Sequence, residues 1–173
     1  RPSSKEPAQS RAVDADDLWK KLRQGARNVA GVTWQIAVTV HLLLASRVGE
    51  RSFVRLTPEG LEDVDCASAD GVLTFVQVKE KGAGAGRMTA TDIAQALAHA
   101  VIAKETTEDS LVVIVTDGGL GSRLEFTGWE STVAETCPPL AIEALREGLC
   151  KQGLASEDIP RLLSSTRIIQ LPW

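Results

Sequence analysis

Residues 61–79 read LEDVDCASADGVLTFVQVK, and this stretch decides the fold. Its first part alternates, with acidic residues at positions 63 and 65 and apolar ones at 64 and 66, so that each type shares one face of a strand. Ala69-Asp70-Gly71 is typical of a tight turn. A second alternating segment follows, with Gln77 and Lys79 on one face. We therefore predict two paired strands, Leu61–Cys66 and Val72–Lys79, joined as a β-hairpin.

Upstream of the hairpin the apolar spacing is helical. We predict a short amphipathic helix over about Asp14–Gln24, an interruption at residues 25–31, and a second helix over about Val32–Ser46. The second helix is apolar on most of its faces, which predicts that it is buried in the core. A short strand, Ser52–Leu56, follows it.

Downstream, a helix begins near Thr89 or Thr91, either of which could cap it. Leu111–Val115 is an uninterrupted apolar run, typical of a central strand covered on both faces. We predict further helices over about Pro139–Gln152 and Ser156–Leu163 and a last strand over Arg167–Leu171. The order of elements through residue 116, α-β-β-β-α-β, predicts an α/β fold with a mixed central sheet, helices on its faces and additional C-terminal helices.

Length and composition exclude several classes of protein. The 173 residues fit one domain, 14–173, preceded by a polar, disordered lead-in at residues 1–13. Three cysteines and two histidines, all widely spaced, argue against a disulfide framework and a zinc site. The longest uncharged apolar stretch, Val29–Ala45, is shorter than a membrane span requires, so we expect a cytoplasmic protein without a membrane partner. A net charge of −4 and few aromatic residues argue mildly against nucleic-acid binding, but leave room for a local cationic groove.

The constellation with chemical potential is Asp63 with Gln77, Val78 and Lys79. On a paired hairpin the side chains of Asp63, Gln77 and Lys79 share a face. The Asp63 carboxylate, the Gln77 amide oxygen and the backbone carbonyl of Val78 could then hold Mg²⁺, a cation that prefers oxygen ligands. Lys79 could then orient the attacking water or stabilise phosphoryl charge. The alternative is structural: an ion pair between Asp63 and Lys79 beside an exposed glutamine.

The stretch PEGLEDVDCASADGVLTFVQVKEK, residues 58–81, resembles the PD-(D/E)XK nuclease superfamily, and within it the Mrr-related branch that has Q-x-K in place of E-x-K. With Gly31-x-x-Trp34-Gln35 on the preceding helix, it is similar to CD-NTase-associated double-stranded DNA endonucleases. The resemblance covers about residues 29–116. It implies a restriction-endonuclease-like core. It also implies that this chain is the N-terminal effector domain of a longer bacterial anti-phage protein, whose C-terminal part is a sensor or STAND-type NTPase.

The resemblance implies specific site residues. Asp63 corresponds to the metal-binding aspartate, Gln77 to the second motif position, Lys79 to the catalytic lysine, and Gln35 to a polar residue directed at the site from the first core helix. Asp65 is an additional or alternative metal ligand. The implied cofactor is Mg²⁺, with Mn²⁺ as a substitute. Because Gln77 removes one carboxylate, two-metal chemistry is not assumed.

A glycine-rich loop, residues 82–86, separates the hairpin from the next helix. It lacks the third glycine of a dinucleotide fingerprint, since position 87 is arginine. We expect Lys81 and Arg87 to contact DNA phosphates there. Three interpretations therefore stand: a metal-dependent endonuclease that acts on double-stranded DNA and oligomerises when active, a catalytically inactive nuclease-like module that binds DNA or protein, and, well behind, a small-ligand domain that uses the glycine-rich loop.

Overall fold

The computed structural model describes residues 15–60, 62–81, 86–104, 109–121 and 123–171, without the side chains of 15–28 and 101–104. Within these ranges the chain forms five helices and five strands. In chain order they are α1 Ala15–Arg47, β1 Phe53–Pro58, β2 Val64–Ser68, β3 Leu73–Lys79, α2 Ala90–Lys104, β4 Leu111–Thr116, α3 Val133–Thr136, α4 Pro139–Lys151, α5 Ile159–Ser164 and β5 Thr166–Gln170.

The five strands form one sheet in the order β1-β2-β3-β4-β5. The first three pair antiparallel, and β3, β4 and β5 pair parallel. This mixed sheet confirms the predicted α/β class. The hairpin of β2 and β3 is also confirmed, with Val64 opposite Val76 and Asp65 opposite Phe75.

The sheet is covered on both faces, as the apolar run of β4 predicted. Val112 and Ile114 point into a core shared with α2, α4 and α5. Val113 and Val115 point the other way, into a core shared with α1. All four side chains are inaccessible to solvent.

Helix α1 corrects two predictions. Residues 25–31, which we expected to separate two helices, lie inside one 33-residue helix. Glycine in a helix interior costs about 1 kcal/mol relative to alanine, and a helix anchored by tertiary packing tolerates that cost. The second half of α1 is also not buried all round. Only the face with Trp34, Val38, Leu42 and Ala45 packs on the sheet, whereas the opposite apolar side chains are exposed.

Other element boundaries differ by a few residues. β2 begins at Val64 rather than Leu61, so Asp63 lies in the turn that precedes it. Thr89 caps α2, because its hydroxyl accepts a hydrogen bond from the Asp92 amide at 3.2 Å. The short helix α3 has no counterpart among our predictions. The lead-in at 1–13, Leu61 and most of the glycine-rich loop lie outside the described residues.

The window Val29–Arg47 of α1 has the length and composition of a membrane-spanning helix. The stretch that we judged too short to span a membrane, Val29–Ala45, lies inside this window, and the helix continues it by two residues to Arg47. In this fold the same segment supplies the side chains that pack on the sheet.

Candidate active site at Asp63

The candidate site is organised around the carboxylate of Asp63, which accepts three hydrogen bonds. Gln35 donates from Nε2 to Oδ1 at 2.7 Å. Gln77 donates from Nε2 to Oδ2 at 2.9 Å, and the backbone N–H of Val78 donates to the same oxygen at 2.6 Å. Residues from α1, from the turn before β2 and from β3 therefore converge on one carboxylate.

The local folding of each element explains this convergence. The register of Val64 with Val76 continues outward to bring Asp63 next to Gln77, so both lie on the face that the alternation predicted. Gln35 follows the buried Trp34 on α1, which places its amide at the border between the packed face and solvent. The backbone N–H of Glu59 donates to the Asp63 carbonyl at 3.0 Å and closes the turn.

Two charged residues flank the carboxylate. Lys79 is the last residue of β3 and is half-buried. The pKa of Glu62 is raised to about 7, chiefly because burial penalises the charged form; the charges of Asp63 and Asp65 add to the rise, and the charge of Lys79 opposes it. The pKa of Glu62 therefore reports that three carboxylates and one ammonium group interact around this turn.

Asp65 has a different setting from Asp63. Its Oδ1 accepts a hydrogen bond from the backbone N–H of Glu62 at 3.1 Å. Its carboxylate also lies against Gly60 so closely that a Cβ at that position would overlap it. Asp65 thus stabilises the turn that presents Glu62 and Asp63, and it is a metal-ligand candidate only by its place on the strand.

The fit of a divalent cation was tested against the oxygen atoms present. The Oε1 atom of Gln77 is buried and has no hydrogen-bond partner among the described residues. An amide oxygen and a carboxylate are donor types that Mg²⁺ takes, and the N–H of Gln77 rather than its oxygen faces Asp63 in this arrangement. No group of three or more His, Cys, Asp or Glu side chains suited to a metal occurs in the described part of the chain. The role of the Val78 carbonyl as a metal ligand stays a prediction, because Val78 contacts Asp63 through its backbone N–H.

A groove of about 270 Å³ adjoins the site between the end of β3 and α2. Lys81, predicted to bind DNA, lies there with its Nζ 3.1 Å from Asp92, and its backbone N–H donates to Asp117 at 2.8 Å. Arg87, the second predicted DNA contact, is exposed. The lining residues are Lys79, Glu80, Lys81, Met88, Asp92, Gln95, Ala96 and His99.

Our predictions from sequence missed two features, the polar face of α2 and the raised pKa of Glu62. Asp92, Gln95 and His99 follow one another at three- and four-residue spacing, which places them on one helix face toward the groove. That spacing is visible in the sequence, opposite the apolar stripe of α2. The shifted pKa of Glu62 has a weaker signal in the sequence, which is that Glu62 directly precedes another acidic residue, Asp63.

No protein-family model matches this chain, and no curated protein or solved structure matches it either.

Proposed function

We propose that this chain is a Mg²⁺-dependent endonuclease domain that hydrolyses phosphodiester bonds of double-stranded DNA. The observation that carries the proposal is the convergence of Gln35, Gln77 and the Val78 amide on Asp63, next to Lys79. Asp63, Gln77, Lys79 and Gln35 are the residues that the resemblance to PD-(D/E)XK nucleases selects, and they come from α1, from the turn before β2 and from β3. The order α-β-β-β-α-β through β4 agrees with a restriction-endonuclease-like topology, which belongs to the same proposal.

In this mechanism Asp63 and Gln77 would hold the cation. When bound, the metal supplies Lewis-acid stabilisation of the phosphoryl charge and a more acidic water. Gln35 and the Val78 N–H fix the orientation of the Asp63 carboxylate, so that little reorganisation is needed at the moment of reaction. Lys79 stands at the mouth of the groove, where its ammonium group can contact the scissile phosphate and orient the attacking water.

The groove would receive the DNA backbone. Lys81 now pairs with Asp92, so we expect a phosphate to compete with that carboxylate for the ammonium group. Arg87 is free of this constraint in the described contacts and is exposed for a second phosphate. Recognition of the backbone rather than of bases fits a site with few base-reading side chains.

The biological setting is part of the proposal and rests on the resemblance. It makes the chain the effector domain of a bacterial anti-phage defence protein in the cytoplasm, attached to a sensor or STAND-type NTPase. The domain would be activated by homo-oligomerisation, because a net charge of −4 favours weak DNA binding by one copy and linked copies gain avidity.

A second candidate is a catalytically inactive nuclease-like module that binds DNA or protein. The specific observation in its favour is that both oxygens of Asp63 already accept hydrogen bonds from N–H donors. In this alternative the amide groups of the two glutamines satisfy the carboxylate oxygens of Asp63 by hydrogen bonds and no metal is needed.

Cleavage of duplex plasmid with Mg²⁺ or Mn²⁺, over a range of protein concentrations, separates the two candidates. We expect Lys79→Ala and Asp63→Ala to lower the cleavage rate at least about a hundredfold, because each removes a group that stabilises the transition state. Lys151→Ala, which removes an exposed lysine on α4, is the matched control and should cut like the wild type.

Circular dichroism must show that all variants are folded. If neither the wild-type domain, nor a forced dimer, nor the longer protein cuts DNA, the nuclease proposal fails. A gel-shift assay with linear duplex then decides whether the inactive module binds DNA.

A further inference from the structure

Helix α1 carries a second apolar face, directly opposite the one that packs on the sheet. Val29, Ile36 and Leu43 are 67%, 59% and 49% exposed, whereas Val38 and Leu42 on the packed face are 0% exposed. We refer to the exposed set as the outer stripe. It consists of Val29, Val32, Ile36, Val40, Leu43 and Leu44.

The outer stripe has the spacing of a helix-pairing seam. Val29, Ile36 and Leu43 follow one another at intervals of seven residues along α1. Apolar residues that repeat every seven positions keep one line of a helix against a partner helix. Val29, Ile36 and Leu43 span two such intervals, and all three lie on the exposed side of α1.

The length of α1 leaves the stripe accessible to such a partner. Thirty-three residues extend about 50 Å, whereas a seven-residue strand extends only about 23 Å. The buried positions from Trp34 to Ala45 cover about 16 Å of the helix axis. The helix is therefore longer than the surface it covers.

We propose that the outer stripe is the surface through which two copies of this chain pair, with α1 against α1. The exposed parts of its six side chains amount to roughly 500 Å² per copy. Two copies would bury about 1,000 Å² from these residues alone, which is near the lower limit of specific interfaces. An isologous pair suits this surface, because each stripe offers the other an apolar face of the same length. We expect a micromolar dimer.

A lipid bilayer is the competing occupant, since Val29–Arg47 has the composition of a membrane span. Insertion would remove Trp34, Val38 and Leu42 from the sheet and break the hydrogen bond of Gln35 to Asp63. Lying on a membrane surface is also disfavoured, because residues 28–46, which include the whole outer stripe, contain no lysine or arginine to attract anionic lipids; the basic residues of α1 lie outside that range, at positions 20–27 and at Arg47. The second copy is therefore the occupant that the surface fits.

Sedimentation equilibrium of the 173-residue chain between about 1 and 100 μM tests the proposal. We expect a reversible monomer–dimer equilibrium for the wild type, and a dissociation constant raised at least about a hundredfold by Ile36→Glu with Leu43→Glu, since each buries a charge at the interface. His41→Glu is the matched control. It places the same charge on an exposed position of α1 outside the stripe and should leave the equilibrium unchanged.

Three results would overturn the proposal. The first is a wild type that stays monomeric over the whole range. The second is a dimer that persists in the folded double variant. The third is flotation of the wild type, but not of the double variant, with vesicles of phosphatidylcholine and phosphatidylglycerol, which would assign the stripe to a membrane. The measurement needs neither DNA nor metal, so its outcome is independent of the proposed nuclease activity. If that activity is confirmed, the outer stripe is the surface through which the domain oligomerises.

Discussion

Three N–H groups donate to the carboxylate of Asp63, and one of them explains the residue type at position 77. A glutamine donates from Nε2 to Asp63 at 2.9 Å, whereas a glutamate would place a second carboxylate at that distance. Two carboxylates so close cannot both ionise without a strong shift of pKa. Gln77 thus keeps Asp63 oriented while leaving the amide oxygen for another ligand.

Glu62 gives the site a pH-dependent stability that can be measured. Its pKa is about 7 in the folded protein and lies near 4.5 when the chain is unfolded, because burial and the neighbouring Asp63 and Asp65 penalise the charged form. The folded protein therefore binds more protons between these values, and stability falls as pH rises from about 4.5 to 7. We expect Glu62→Gln to raise the Tm by a few degrees at pH 8 and to change it little at pH 4.5.

Thermal unfolding in EDTA at both pH values checks this, with Glu143→Gln on the exposed face of α4 as the control. The control should shift the Tm by a similar, small amount at each pH. An equal effect of Glu62→Gln at both values would contradict the interpretation.

Single residues of the site differ in how far sequence predicts them. The pairing of Asp63 with Gln77 follows from alternation and a short turn, because hairpin partners are close in the chain. Gln35 lies 28 residues before Asp63, and only the resemblance pointed to it. The contact of Asp65 with the turn depends on the path of residues 59–62, which alternation does not specify.

Two helix glycines, Gly148 on α4 and Gly31 on α1, should respond to alanine with opposite changes in the free energy of unfolding. A Cβ on Gly148 would lie 2.7 Å from the Cβ of Ala94, so these helices approach closely only because position 148 is glycine. Gly31 on α1 has open space around its Cβ position. We expect Gly31→Ala to stabilise the protein by up to about 1 kcal/mol through helix propensity, and Gly148→Ala to destabilise it by about 1–2 kcal/mol through overpacking.

Urea unfolding of the two variants measures both values. Adding Ala94→Gly to Gly148→Ala should recover part of the loss, because it removes the overlapping methyl group. Two glycine-to-alanine changes that stabilise equally would refute the close approach of α2 and α4.

At the scale of elements, the strands were predictable and α1 was not. The period of two in residues 61–79 and the apolar run of β4 each have one structural explanation. The glycines at 25 and 31 favour a break, but neither forbids helix, and tertiary packing decided between the two. The exposed outer stripe of α1 was assigned to the core because an apolar pattern alone does not distinguish burial in the same chain from burial against another surface.

Because the sheet is covered on both faces, its backbone amides should be protected from hydrogen exchange to different degrees in its central and edge strands. β3 and β4 have strand neighbours on both sides and buried side chains on both faces, whereas β1 is an edge strand with Val54 and Arg55 exposed. We expect amides of β3 and β4 to exchange hydrogen at least about a hundredfold more slowly than those of β1. Hydrogen-exchange mass spectrometry measures this difference, and similar rates in β1 and β4 would contradict the layered core.

The class of the whole fold followed from the order of its elements, since three successive strands before a helix favour an antiparallel start and a parallel continuation. The order of the last strand was less accessible. β5 pairs with β4 across three helices, α3 to α5, and the connection of about 50 residues allows several positions at the sheet edge.

Because α1 is one continuous helix, a rotation about its axis moves the side chains on all of its faces together. We call this helix a rod. The outer stripe lies on one side of this rod, and Gln35, which holds Asp63, lies on another. A roll of the rod by about 20° about its own axis would displace a side chain on its surface by about 2 Å. That displacement is enough to break the 2.7 Å hydrogen bond between Gln35 and Asp63. A contact on the exposed side of α1 that rotates the helix would therefore change the hydrogen bonding of the Asp63 carboxylate.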